Sequence, residues 1–149
     1  MMDSDIQKYL PHRPPFVFVD EFDTDQKGEN TVGNRLFTED DYFFKGHFPG
    51  MPDVPGVILV ECLAQCGGAG IVKSGRVPAN SDFFLATVKE AKFHAKVGPG
   101  DRLAMEIETL RIARNRFIVQ HGKGMVNGEL AVEASWVCAV VPKGQNPEA

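Results

Sequence analysis

The 149-residue chain has only three cysteines, one tryptophan and two tyrosines, and it lacks any long run of one charge. Each shortage excludes something. Cys62, Cys66 and Cys138 are odd in number, and the first two stand four apart instead of in paired Cys-x-x-Cys knuckles. No disulfide framework or metal site is expected, and the thiols read as small buried apolar groups. Lys and Arg number 16 against 20 Asp and Glu, scattered and without aromatic-basic alternation, which argues against a nucleic-acid partner. Met1-Met2-Asp3-Ser4-Asp5 has neither the basic start nor the apolar core of a secretory leader, so a cytoplasmic protein with reduced thiols is expected. The one apolar stretch of roughly membrane-span length, Val54 to Val72, contains Glu61, Gln65 and four glycines and lacks basic flanks. It reads as a buried helix, with no membrane involved.

What remains fits one compact domain over residues 1–149, with a polar tail from 143 to 149 expected to be flexible. Phe16-Val17-Phe18-Val19 and Thr31 to Thr38 suit short strands. From Ser81 onward the pattern turns to long period-two segments: Phe83 to Val97, Asp101 to Ala113, Arg116 to Val126 and Glu129 to Val141. Gly98-Pro99-Gly100-Asp101, Arg114-Asn115 and Asn127-Gly128 separate them, the last suiting a type I′ hairpin, so an antiparallel meander is expected. Between the strand groups, Pro55 opens a helix and Gly67-Gly68 to Gly75 lets it end. Val57, Ile58, Leu59, Val60, Cys62, Leu63, Ala64 and Cys66 make that helix apolar on nearly every side, and such a helix must be buried, here wrapped by the sheet.

Glu61 and Gln65 are the only polar side chains from Val57 to Cys66, stacked one turn apart. A carboxyl buried without a partner ion keeps its proton, which makes it a general acid; a structural Glu satisfied by backbone or an Arg is the alternative. The preceding segment, Gly46-His47-Phe48-Pro49-Gly50-Met51-Pro52-Asp53-Val54-Pro55-Gly56, holds three prolines at spacing three and three glycines. Such a rigid irregular loop fixes where His47 points, and His is the side chain that titrates near neutrality. His47 and Glu61 make a candidate base and acid. If Pro49 to Pro55 runs extended at about 3.1 Å per residue, His47 lies about 20 Å from the helix start and the pair meets only across a dimer interface. Gly56 leaves a helix-start N–H open to a carbonyl oxygen that gains charge, or serves only the turn. His12, His94 and His121 read as structural or exposed, with no partner nearby in sequence. Arg13 is expected to brace its own loop.

These residues carry a resemblance. Leu10-Pro11-His12-Arg13-Pro14-Pro15-Phe16 with Val19-Asp20, then Gly46 to Gly50, Pro55-Gly56-Val57 through Glu61-Cys62-Leu63-Ala64-Gln65, Glu90-Ala91-Lys92-Phe93 and Val97 to Asp101 together resemble the 3-hydroxyacyl-acyl carrier protein dehydratases of the FabZ type, from about Leu10 to Cys138. The resemblance implies an α+β hot-dog fold, an antiparallel sheet wrapped around a long central helix, dimerising or forming a trimer of dimers. It implies reversible dehydration of (3R)-3-hydroxyacyl-acyl carrier protein to the trans-2-enoyl form in fatty-acid biosynthesis, without metal or other cofactor. His47 would take the C2 proton, Glu61 would protonate the leaving C3 hydroxyl, and the Gly56 and Val57 N–H groups would hold the thioester carbonyl. Gln65 would orient the carboxyl, and Phe84 would line the acyl channel. Glutamate at 61 resembles the dehydratases that do not isomerise the new double bond. The sequence departs from the pattern over Phe83 to Lys89, where relatives often carry tyrosine and an acidic residue. The acidic carrier protein would dock on Arg111, Arg114, Arg116, Lys92 and Lys96, which otherwise form a solvated strand face. Two other readings stay open: a thioesterase of the same fold, and a non-catalytic acyl-binding scaffold.

Overall fold

The computed structural model describes residues 1–143, so the expected tail lies, Lys143 apart, outside the described residues. Strands β1 (Glu21–Thr24) and β2 (Asn30–Leu36) precede helix α1 (Gly56–Lys73). Strands β3 (Ser81–Phe93), β4 (Arg102–Ala113), β5 (Phe117–Val126) and β6 (Glu129–Pro142) follow it. The six strands form one antiparallel sheet in the order β1-β2-β4-β5-β6-β3. Alternation along β4 shows why: Leu103, Met105, Ile107 and Thr109 are buried while Arg102, Glu106 and Glu108 are exposed, the period-two pattern of a sheet with one face on a core.

That core is built around α1, which packs on all six strands. By length and hydropathy α1 could span a membrane, but 78% of it is buried inside the protein. It is the core helix. Of the apolar residues expected to surround the helix, Val57 alone is exposed, 76% at the first turn, and the other seven are buried. Two glycines let the sheet approach closely. A Cβ at Gly67 would overlap the side chain of Gln120, and one at Gly70 would overlap Thr31. Where the backbones come this near, Gln120 Nε2 donates to the Gly67 carbonyl at 3.2 Å and to Thr109 Oγ1 at 3.1 Å, while Trp136 Nε1 donates to Gln120 Oε1 at 3.1 Å. Each of these buried polar groups is thus satisfied.

Three expectations change. Phe16 to Val19 is not a strand. Phe18 and Val19 are both buried, which strand alternation forbids for neighbours on a one-sided sheet, and side chains replace the missing ladder. Gln65 Oε1 accepts the Phe18 N–H at 2.8 Å, and Arg35 Nη1 donates to the Val17 carbonyl at 3.1 Å. Secondly, only β4-β5-β6 is a meander. β3 pairs with β6 at the far edge, so Gly98 to Asp101 makes a crossover turn, pinned to the end of β2 by Gly100 N–H to Phe37 O and Phe37 N–H to Asp101 O. The hairpins at Arg114-Asn115 and Asn127-Gly128 form as expected, all four residues at positive φ. Thirdly, β3 ends at Phe93, because His94 and Ala95 turn their N–H groups to the Ala131 carbonyl. β3 is an exposed edge, with Phe84, Leu85, Val88 and Phe93 each 41–51% exposed.

The close helix-sheet approach gives a sharp test. On helix propensity alone Gly70→Ala should stabilise by about 1 kcal/mol. Overlap with Thr31 should instead cost about 1–3 kcal/mol and lower the urea midpoint. A midpoint that rose would mean that α1 does not sit this close to β2.

Candidate active site

The Gly46 to Gly56 loop is folded back, not extended. Phe48 and Met51 exchange backbone hydrogen bonds across Pro49-Gly50, where Gly50 takes φ +74, and Asp53 N–H donates to the His47 carbonyl at 2.9 Å. The extended-chain distance from His47 to the helix start is therefore overturned: the tight turn brings His47 against Asp53, two residues before Pro55. His47 Nδ1 lies 2.8 Å from the Asp53 carbonyl oxygen, which only accepts. The ring proton is accordingly on Nδ1, leaving Nε2 with a lone pair, the form a base requires. The ring stacks on Phe48 with centroids 4.0 Å apart.

Asp53 also borders a cavity of about 580 Å³, lined by Val54, Gly56, Val57, Phe93 and Lys96 among others. Its floor is the start of α1. Ile58 and Leu59 both turn back to the Pro55 carbonyl, while the N–H groups of Gly56 and Val57 have no acceptor among the described residues. A Cβ at Gly56 would stand 2.9 Å from the Phe93 ring, so glycine is required for that ring to lie over the helix start.

In the second turn of α1, Glu61 faces a second, small cavity of about 30 Å³ lined by Leu10, His12, Ala64, Gln65, Gly68, Phe83, Leu85 and Cys138. Burial raises the Glu61 pKa, against a smaller opposing effect of the hydrogen bond from Gln65 Nε2 to Oε2 at 2.9 Å. Gln65, 2% exposed, also donates to the Phe16 carbonyl at 3.2 Å. Its carboxamide is thereby fixed from both ends, and it fixes the carboxyl in turn. The same burial pushes the Cys66 and Cys138 thiols up to about 12, with Cys62 higher still, so all three stay protonated as expected for apolar fillers.

The sequence-predicted residues thus fall into two groups. Gly56 and Val57 line the large cavity with the His47 loop at its border; Glu61 and Gln65 share the small one. The two cavities have no lining residue in common. Phe84 lines neither; its neighbours Phe83 and Leu85 face Glu61, since adjacent strand residues point to opposite sides. His12 departs from its expected isolation, with Nε2 3.5 Å from Glu61 Oε2. That contact spans 49 positions and has no local signal. His94 and His121 find only strand neighbours, Glu133 and Ser135. Arg13 does brace its loop, donating to the Leu10 and His12 carbonyls. The five proposed docking cations are exposed but do not form one patch. The Arg116 carbonyl accepts the Val140 N–H near one end of β6, while Lys92 pairs with Glu133. At about 3.4 Å per residue that is roughly 20 Å away. Among the described residues no cluster of three or more His, Cys, Asp or Glu can hold a metal ion.

An apolar helix wrapped by an antiparallel sheet is the hot-dog fold. Residues 10–135 match the model of the FabA-like domain, and the chain belongs to that family. It is 37% identical over 147 residues to "3-hydroxyacyl-[acyl-carrier-protein] dehydratase FabZ" of Koribacter versatilis, covering 97% of this chain and 92% of that protein. It is 38% identical to the protein of the same name from Syntrophotalea carbinolica, covering 95% and 96%. Among solved structures, the dehydratase heterocomplex ApeI:P of Xenorhabdus doucetiae superposes with a TM-score of 0.77 at 18% identity, covering 93% of this chain and 91% of that one. A putative thioesterase of Ralstonia eutropha superposes with a TM-score of 0.59 at 14% identity, covering 78% and 80%. These two establish the fold alone.

Glu61 gives a pH prediction. Its pKa in the folded chain lies above the unfolded value of 4.5, so stability is lost as pH rises through that window, where the buried carboxyl ionises. Glu61→Gln bears no such cost. Its thermal midpoint should therefore gain on wild type as pH rises above 4.5. A difference that stayed constant with pH would mean that Glu61 ionises as an ordinary surface carboxyl.

Proposed function

We propose that the chain is a hydro-lyase that reversibly dehydrates (3R)-3-hydroxyacyl chains carried on acyl carrier protein to trans-2-enoyl chains, a step of fatty-acid biosynthesis, in the cytoplasm. The observation that carries this reading is Glu61: a largely enclosed carboxyl whose pKa is raised by burial and which Gln65 orients, in a chain 37–39% identical over most of its length to proteins named for that reaction.

His47 Nε2 takes the proton from C2, and Glu61 gives its proton to the C3 oxygen. The C2–C3 double bond forms, the C3–O bond breaks and water departs. The small cavity beside Glu61 has room for that water, which needs about 10–15 Å³, but not for an acyl chain. The Gly56 and Val57 N–H groups, at the positive end of α1, hold the thioester oxygen as it gains charge. Both proton-transfer groups end exchanged in charge, and passage of the proton back from His47 to Glu61 resets the site.

The acting unit is a homodimer, alone or as a trimer of dimers. The separation of the two cavities within one chain and the apolar β3 edge support it: an isologous pairing of two β3 edges would continue the sheet and bring His47 of one copy towards Glu61 of the other.

With crotonyl thioester, wild type should remove the enoyl absorbance without releasing thiol, and His47→Ala or Glu61→Gln should each lower turnover by about 10²–10⁴. Thiol release would identify a thioesterase instead, and activity surviving both substitutions would place the chemistry elsewhere. Mixing the two inactive variants under subunit exchange should restore about a quarter of wild-type activity, since half of the dimers then carry one native site of two. No recovery would locate both groups in one chain.

A further inference from the structure

The dehydration chemistry leaves His12 unused, although the structure builds a seat for it beside the acid. Leu10 is buried, Arg13 clamps the loop by donating to the Leu10 carbonyl at 2.9 Å and the His12 carbonyl at 2.6 Å, and Gln65 pins Phe16 a few residues on. The His12 ring stacks on Phe16, and its side chain is 18% exposed against 19% for Glu61. Four elements present groups to this spot: Glu61 and Gln65 from α1, Asp82 from β3, the protonated Cys138 thiol from β6, and Arg13 from the loop itself. Burial is the largest influence on His12 and lowers its pKa; Asp82 opposes it and Arg13 adds to it. The imidazole is neutral and carries one N–H.

Where that proton sits follows from the partners. Nδ1 is buried with nothing to bond, whereas Nε2 is 3.5 Å from Glu61 Oε2. A buried N–H without an acceptor is the costlier orphan, so the proton belongs on Nε2 and is directed at Oε2. Gln65 Nε2 already donates to that same oxygen at 2.9 Å. In a protonated carboxyl, the oxygen that faces two N–H groups is the carbonyl oxygen. We propose that His12 is a positioning residue which, together with Gln65, confines the proton of Glu61 to Oε1 and so presents it to the departing hydroxyl. Once the proton has left, the same two donors hold the carboxylate. At 3.5 Å the His12 contact is long, and it shortens to a hydrogen bond when substrate closes the site, as catalytic contacts do on leaving the free state. The inference rests on the reading of Glu61 as the acid.

The test is the pH dependence of kcat for hydration of crotonyl thioester, measured on the full chain as wild type, His12→Phe and His12→Gln, with Glu61→Gln alongside. Phenylalanine keeps the ring shape without the N–H; glutamine keeps a donor. Loss of one donor to a group that becomes charged should lower kcat roughly tenfold to hundredfold, with KM within about twofold. It should also move the alkaline limb to higher pH, because the carboxylate has lost a stabilising donor. His12→Gln should recover most of kcat and return the limb. If His12→Phe does not fold, His12→Asn, whose amide is too short to reach Oε2, takes its place with the same expectations. Wild-type kcat and limb in the donor-free variant, or a glutamine variant no better than it, would overturn the role of His12. Failure of the underlying reading looks different: Glu61→Gln would then keep its turnover, which overturns both.

Discussion

One buried carboxamide ties this structure together. Gln65 accepts the Phe18 N–H, donates to the Phe16 carbonyl and donates to Glu61, and it is almost wholly sealed from water. Through the first two bonds it stands in for a strand neighbour and holds the N-terminal loop against the central helix. Through the third it orients the carboxyl. Because the buried Phe18 N–H would otherwise have no bond, costing about 1–3 kcal/mol, and the same amide orients Glu61, fold and site are coupled at this residue. The loop that Gln65 anchors also delivers His12 to the other side of the same carboxyl.

Local patterns made much of this legible. Period-two segments after Ser81, the Asn127-Gly128 turn and the Pro55 helix start were readable because strand alternation, positive φ and a missing N–H act within a few residues. Glu61 and Gln65 stood out because only they interrupt an apolar helix. What escaped the sequence was set by distant partners. β3 pairs with β6 in place of β4, which no separator between strands records. Phe16 to Val19 has strand composition, but its hydrogen bonds go to side chains 18 and more positions away. His47 was placed too far from the helix because prolines suggest extension, whereas Gly50 reverses the chain between them.

The chemistry follows the division of the molecule into wet and dry. The start of α1 at Gly56 and Val57 lines an open cavity of about 580 Å³, large enough for substrate, and the His47 loop borders it through Asp53. Glu61 belongs to one of about 30 Å³, where desolvation raises the pKa of the carboxyl. His47 and Glu61 therefore experience different surroundings, although one short loop and one helix supply both.

The scarcity of tryptophan has a practical consequence. Trp136 is the only one in the chain, it is fully buried, and its indole N–H bonds to Gln120, whose amide also holds the Gly67 carbonyl in the middle of the helix. Its fluorescence is therefore a single-site optical gauge of whether the helix is docked in the sheet. Any loosening that admitted water at the helix midpoint would redden the emission while the strands themselves remained paired.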